Sequence, residues 1–179
     1  ILKYNQSFGK HNIDAMVGYS WQYFYSEGQT TKAYGFLSDN FKWYSLAAAQ
    51  TVESISSYAE SNTLISMYGR VNYNYADKYL LTATIRRDGS SRFGSGNKWG
   101  IFPSVAASWR ISQEDFFQND IMSDLKLRAS FGITGSQEIG NYNSLSTLGA
   151  STNGYLVGGE KITIVLPQQY TNPDLKWEQ

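Results

Sequence analysis

The residues that could do covalent or metal chemistry are few, and their spacing does not suit it. His11 is the sole histidine and falls in a short turn, so neither a nucleophile–His–acid triad nor a His-rich metal site can be built around it. Glu114 and Asp115 are a close carboxylate pair, but they are sequence neighbours in a short linker before Phe116 and Phe117. Glycoside hydrolysis needs two carboxyl groups facing each other across a substrate, roughly 5–9.5 Å apart, which adjacent loop residues do not offer. Cysteine is absent, which removes disulfides and thiolate metal sites. The Gly- and Ser-rich run "RRDGSSRFG" (86–94) lacks the Gly-x-x-x-x-Gly-Lys of a phosphate loop. Gly94-Ser95-Gly96 has Trp99 where a dinucleotide fingerprint needs glycine. Asn5-Gln6-Ser7 has the form of a glycosylation sequon but lies in a strand, and carries no meaning there. No catalytic, cofactor or metal residues are assigned, and no enzymatic activity is expected.

The polar residues with a role to find are cations. Arg70, Arg86, Arg110, Lys126 and Arg128 all fall on the polar side of alternating segments, with Asp14 as a counter-charge. The alternation is period-two throughout. In "NIDAMVGYSWQYFY" (12–25), Ile13, Ala15, Val17, Tyr19, Trp21, Tyr23 and Tyr25 share one face, and Asp14, Met16, Gly18, Ser20, Gln22 and Phe24 the other. Residues 2–8, 64–75, 79–86, 101–111 and 125–134 repeat the pattern, and 175–177 reads as the start of another strand. The 12–25 run exceeds the usual 5–6 residues of a strand and meets the roughly 9–11 that a membrane-crossing strand needs.

Connections between these segments alternate in length. Residues 9–11 and 76–78 are tight turns, and 112–124 is a modest linker with room for one helical turn. Residues 27–62, 88–100 and 135–173 are long, and the 88–100 loop is expected to turn at Asp88-Gly89, fixed by an Arg92–Asp88 ion pair. Short turns at one end and long loops at the other are the habit of an up-and-down membrane barrel. Tyr23, Tyr25, Tyr73, Tyr75, Tyr79 and Trp109 end the apolar faces, where an aromatic girdle would sit. The fold class is therefore all-β, an antiparallel up-and-down transmembrane barrel of which 1–179 is a partial wall of about six to seven strands. The mean hydropathy of −0.41 does not oppose this, because half of each barrel strand faces a polar lumen. Fifteen basic and fifteen acidic residues cancel, so no nucleic-acid partner is expected. A soluble all-β carbohydrate-binding module, with strands near six residues, is the competing reading. The long-loop aromatics Tyr34, Trp43, Tyr44, Tyr142 and Tyr155 suit stacking on sugar rings or contact with a lid in either case. The start at Ile1 and the stop within "NPDLKWEQ" give the expectation of a piece of a longer protein.

The ordered motifs "YADKYLLTATIRRDGSSRFG", "KWGIFPSVAASWRISQEDFF", "LKLRASFGITGSQEIGNY" and "NPDLKWEQ", spanning 75–179, resemble the barrel of SusC/RagA-like TonB-dependent transporters of the Bacteroidota outer membrane. Residues 1–62 resemble that family only in strand-and-loop style. The resemblance implies a closed barrel of about 22 strands, a plug domain in its lumen, a SusD-like surface lipoprotein as a lid, and the energy-coupling protein TonB acting on the plug. It implies import of oligosaccharides or peptides across the outer membrane. Plug and TonB box are not among these residues. On this reading the five cations line the lumen or face the plug, and the loop aromatics meet ligand or lid.

Overall fold

The computed structural model describes residues 1–117 and 122–178; within them the side chains of Asp39, Phe41, Lys42, residues 151–155 and Lys161 lie outside the described set. Strict alternation with β-branched and aromatic residues yields extended chain: β1 (Leu2–Phe8), β2 (His11–Tyr34), β3 (Thr51–Tyr75), β4 (Tyr79–Ser90), β5 (Trp99–Arg110) and β6 (Lys126–Gly132). They form one six-stranded sheet whose spatial order is the chain order. The four pairings between named partners are antiparallel, as a meander requires. The register keeps like with like across the strands. Val71, Ala83, Val105 and Phe131 stand in one row, and Asn72, Thr82, Ala106 and Ser130 in the next.

The tight turns fall where the sequence puts them. Gly9 joins β1 to β2 in the left-handed region, at φ 60. Ala76 and Asp77, at φ 54 and 57, join β3 to β4, and the Asn74 amide steadies the turn by donating to Asp77 Oδ1 at 2.5 Å. After β5 comes a single 3-10 turn, Ile111–Gln113, in the linker where room for one turn is expected.

The long segments differ from expectation in three places. β2 and β3 run to 24 and 25 residues, so most of 27–62 is strand and not loop. The extension has no alternating polarity to signal a strand: in the Thr51–Ala59 stretch Ser, Thr and Glu occupy both faces, and every residue is exposed. Asp88 and Gly89 are not a turn but part of β4, paired with Gly100 and Trp99, which leaves a loop of 91–98 only. Within 135–173 lies a separate hairpin, β7 (Thr147–Val157) with β8 (Glu160–Gln169), turning at Gly158 and Gly159. Among the described residues, 175–177 lie outside any strand, and Glu178 makes an isolated bridge to Ser136.

The chain divides into two units. One is Ile1–Gln22 with Thr63–Gln179, and the other is Tyr23–Asn62. The second consists of the distal parts of β2 and β3 and a 3-10 helix, Asp39–Ala48, entered through Ser38, whose hydroxyl accepts from the Asn40 amide at 3.2 Å.

A soluble sandwich would cover its apolar face with a second sheet. Here that face is open: Ile85 is 57% exposed, Leu127 62% and Phe131 71%. Strands of 24 and 25 residues are equally far from the short strands of such a module.

Candidate functional site

Chemistry in this molecule is a matter of which side of the sheet a residue faces. The apolar side of the first unit carries Val17, Val71, Leu81, Ile85, Val105 and Phe131, all exposed. A contiguous exposed apolar surface of this kind needs a non-aqueous neighbour. Its height can be read from β5. Trp99 and Trp109 stand near the two ends of that strand on the apolar side, about ten residues apart, hence about 34 Å along the strand at roughly 3.4 Å per residue. A strand tilt of about 40° brings this to about 26 Å along the normal, close to the roughly 25 Å apolar band of an outer-membrane barrel.

Polar groups finish the band at both ends. At the long-loop end the Arg87 guanidinium lies 4.6 Å from the centre of the Trp99 ring. At the short-turn end Tyr75 and Tyr79 stack, their ring centroids 6.4 Å apart. There Glu114, which the sequence offered only as a rejected catalytic acid, collects three donors. The Tyr79 hydroxyl donates to its Oε1 at 2.7 Å, Trp109 Nε1 to the same oxygen at 3.0 Å, and Lys78 Nζ to Oε2 at 3.0 Å. Those bonds, Tyr79 first, hold the Glu114 carboxyl down at about 2 from an ordinary 4.5. The bond to Glu114 in turn raises the Lys78 ammonium. This buckle is structural: it ties the linker after β5 to the turn before β4.

The polar side carries the five predicted cations. By register Arg70 stands opposite Thr84, Arg86 opposite Phe102, Arg128 opposite Ser108, and Arg110 opposite Lys126. Arg70 and Arg128 line one concavity of about 500 Å3 with Asn72, Thr82 and Ser130. Asp14 is held by amides and not by a cation: Asn72 donates to it at 3.1 Å and Asn5 at 3.4 Å. Arg86 is internally satisfied, donating to both Asp88 oxygens at 2.7 and 2.8 Å and to the Ser66 hydroxyl at 3.0 Å. The Arg92–Asp88 pair expected from sequence is therefore not formed. Arg86, two residues before Asp88 in β4, reaches it first, while Arg92 donates to Asn141 Oδ1 and the Gln137 carbonyl, each at 3.1 Å.

Those Arg92 bonds belong to an arrangement the sequence did not announce. On the polar side, Phe93, Phe102 and Trp177 form a buried cluster with Leu64, Ile139 and Leu175 against it. Trp177 meets Phe93 at 5.1 Å and Phe102 edge-on at 5.2 Å, and its indole N–H donates to the Lys98 carbonyl at 3.1 Å. Gly100 and Gly135 make room: a Cβ on either would stand 2.5 or 2.2 Å from the Phe102 ring. The segments 91–98, 135–141 and 172–178 are thus folded together against the wall. An aromatic at an even position of β5, in a polar row, was the available signal.

The loop aromatics fall in both units of the chain. Trp43 and Tyr44 touch each other at 4.5 Å in the 3-10 helix of the Tyr23–Asn62 unit and are 75% and 67% exposed. Tyr34 ends β2 in the same unit, and Tyr142 takes φ 61 in the other unit. The Tyr155 side chain lies outside the described residues.

Among the described residues no group of histidine, cysteine and carboxylate side chains could hold a metal ion, and no helix is long and apolar enough to cross a membrane.

Residues 2–179 match the family model described as "TonB dependent receptor-like, beta-barrel". The chain is 38% identical over 178 residues to the TonB-dependent receptor P3 of Formosa agariphila, a match covering 99% of this chain and 18% of that protein. It is 37% identical over 186 residues to the TonB-dependent receptor SusC of Bacteroides thetaiotaomicron, again 99% of this chain and 18% of that protein. Among solved structures, the RagAB peptide importer in its closed-closed state superposes with a TM-score of 0.81 at 27% identity, over 98% of this chain and 19% of the matched one. The same importer in its open-open state gives 0.80 at 28% identity. The chain therefore spans about a fifth of the length of its relatives, and it belongs to the TonB-dependent receptor β-barrel family, among the SusC- and RagA-like members.

Proposed function

We propose that residues 1–179 are one stretch of the barrel wall of an outer-membrane transporter that imports oligosaccharides or peptides, with a SusD-like surface lipoprotein as its lid and TonB acting through a plug domain elsewhere in the parent protein. The observation that carries this reading is the single sheet with two chemically opposite sides. Its exposed apolar band, about 26 Å tall, ends in Trp99 and Trp109, and the reverse side is lined by Arg70, Asn72, Thr82 and Arg128. Lipid contacts the first side, and the second faces the lumen and the plug. Open edges in lipid leave backbone groups unpaired at several kcal/mol each, so β1 and β6 pair with further strands of the parent.

Import by such a wall involves no covalent step and no catalytic residue. The wall excludes lipid from a polar path, the plug closes that path at rest, and TonB opens it by pulling on the plug. Peptide as cargo is supported by the likeness to the RagAB peptide importer, and oligosaccharide is what the motif resemblance of 75–179 implies.

The test uses the full-length parent protein. Outer-membrane fractionation should place it in the detergent-extracted fraction, migrating faster unboiled than boiled, and its deletion should abolish TonB-dependent uptake of one oligosaccharide or peptide. Extraction without detergent and boiling-independent mobility would sink the barrel. A normal barrel with unchanged uptake across both cargo classes would sink the cargo assignment.

A further inference from the structure

We infer that Arg87, beside Trp99 on the lipid-facing side of the sheet, binds the phosphate of an anionic lipid headgroup in the outer leaflet of the membrane. The inference rests on that side facing lipid and on the long-loop end facing outward.

Arg87 interrupts an apolar row. It shares its face of β4 with Tyr79, Leu81, Ala83 and Ile85, and its cross-strand partners are Met67 and Ile101. The adjacent Arg86 lies on the other side, where Asp88 and Ser66 satisfy it. Arg87 has no such arrangement. It is exposed, and among the described residues the ion pairs join Lys78 to Glu114 and Asp115, Arg86 to Asp88, and Arg92 to Glu138, which leaves Arg87 without a carboxylate.

β4 and β5 position the group. Ile101, opposite Arg87, stands two residues inside Trp99 along β5, about 7 Å at roughly 3.4 Å per residue, so Arg87 starts just within the edge of the apolar band. A long side chain there lays its methylenes on apolar surface and carries its charge to the rim. The guanidinium lies 4.6 Å from the centre of the Trp99 ring. Gly89 permits this: it is the cross-strand partner of Trp99, and a Cβ on it would stand 2.7 Å from the indole, so the ring lies across β4 within reach of Arg87.

A second feature adjoins the same ring. Beside Trp99 is a cleft of about 170 Å3 lined by Thr63, Gly89, Ser91 and Lys98. Ser91 Oγ accepts from the Thr63 amide at 2.9 Å, which leaves its own proton to donate. Lys98 is exposed and adds a second cation at the rim.

The chemistry of the ligand follows from the place. A cation on the lipid side at the outward rim meets headgroups, whose negative charge sits on phosphate. A planar guanidinium takes two phosphate oxygens at once, and Lys98 and Ser91 supply further donors beside it. Acyl chains attached to that headgroup would run down over Ile85, Ile101 and Val105, all exposed on the same side.

The experiment measures lipid binding to the full-length protein, purified in neutral detergent, by native mass spectrometry. The probes are lipid A and the same lipid stripped of its phosphates. Wild type should hold lipid A about ten-fold more tightly than the stripped lipid, and Arg87→Gln should lose about that factor, the scale of one charge-assisted hydrogen bond. The variant should keep the fast mobility of the unboiled protein, which reports the barrel separately. Equal affinity of wild type for the two lipids overturns the proposal without recourse to any variant, and so does unchanged binding by Arg87→Gln. Competition by inorganic phosphate at the concentration of the lipid would make this a site for free anions and overturn the lipid assignment.

Discussion

Trp109 Nε1 donates to Glu114 Oε1 at 3.0 Å, a bond that links the last apolar-side aromatic of β5 to the linker that follows it. With Tyr79 and Lys78 it makes the Glu114 carboxylate an acid-sensitive fastening. The carboxyl titrates at about 2 in the folded chain against 4.5 ordinarily. A lowered value means the unfolded chain takes up the proton first as pH falls. The contribution is complete above pH 4.5 and fades between 4.5 and about 2. Unfolding midpoints of the full-length protein should therefore be higher for wild type than for Glu114→Gln at pH 7, with the gap closing as pH approaches 2. A gap independent of pH would mean that the charge on Glu114 does not matter.

The two sides of the sheet are distinguished by neighbouring residues. Val105 is 46% exposed at mid-height of the apolar side, and Ala106 faces the other way beside Thr82 and Ser130. Val105→Arg should cost about 2–4 kcal/mol of folding free energy into vesicles, because a mid-plane guanidinium meets hydrocarbon. Ala106→Arg should stay within about 0.5 kcal/mol of wild type. Urea titration of the barrel in vesicles reads both, and equal effects would remove the assignment of faces.

Trp177 fastens the returning segment to the wall. Trp177→Ala removes the shared wall of the Phe93–Phe102 cluster and should cost about 3–5 kcal/mol of local stability. Hydrogen exchange should rise in 91–98 and 172–178 and remain unchanged in β3. A uniform rise along the whole sheet would show that the cluster supports the barrel globally.

Trp43 is 75% exposed, so its loss should leave the unfolding midpoint unmoved. If its ring stacks on cargo, Trp43→Ala should weaken binding by about 1 kcal/mol, roughly five-fold, in a titration with the transported oligosaccharide or peptide. Unaltered affinity would exclude Trp43 from the binding surface.

What could be read in advance was whatever alternates. The rows through Val71 and Asn72 were legible because a membrane wall forces apolar and polar residues onto opposite sides, and strand period two turns that into sequence. Along Thr51–Ala59, where polar residues stand on both faces, the extended chain persists but the residue pattern does not alternate, so the sequence reads as loop. Arg86 is clamped by Asp88, two positions away on the same face, whereas the sequence pattern puts Asp88 in a turn and pairs it with Arg92. The Phe93–Phe102–Trp177 cluster joins residues far apart in the chain, and no local pattern encodes such a meeting.

That distance has a consequence for the order in which the molecule comes together. The Trp177 indole and the Lys98 carbonyl are 79 residues apart. Strand pairing can proceed neighbour by neighbour from β1 to β6, each step closing a comparatively short loop, whereas Trp177 reaches its partners only after β6 and the β7–β8 hairpin have been laid down. Phe93 and Phe102 are therefore left uncovered until late in assembly. During that interval their rings are open to a chaperone or a misplaced strand, and the arrival of Trp177 marks its end.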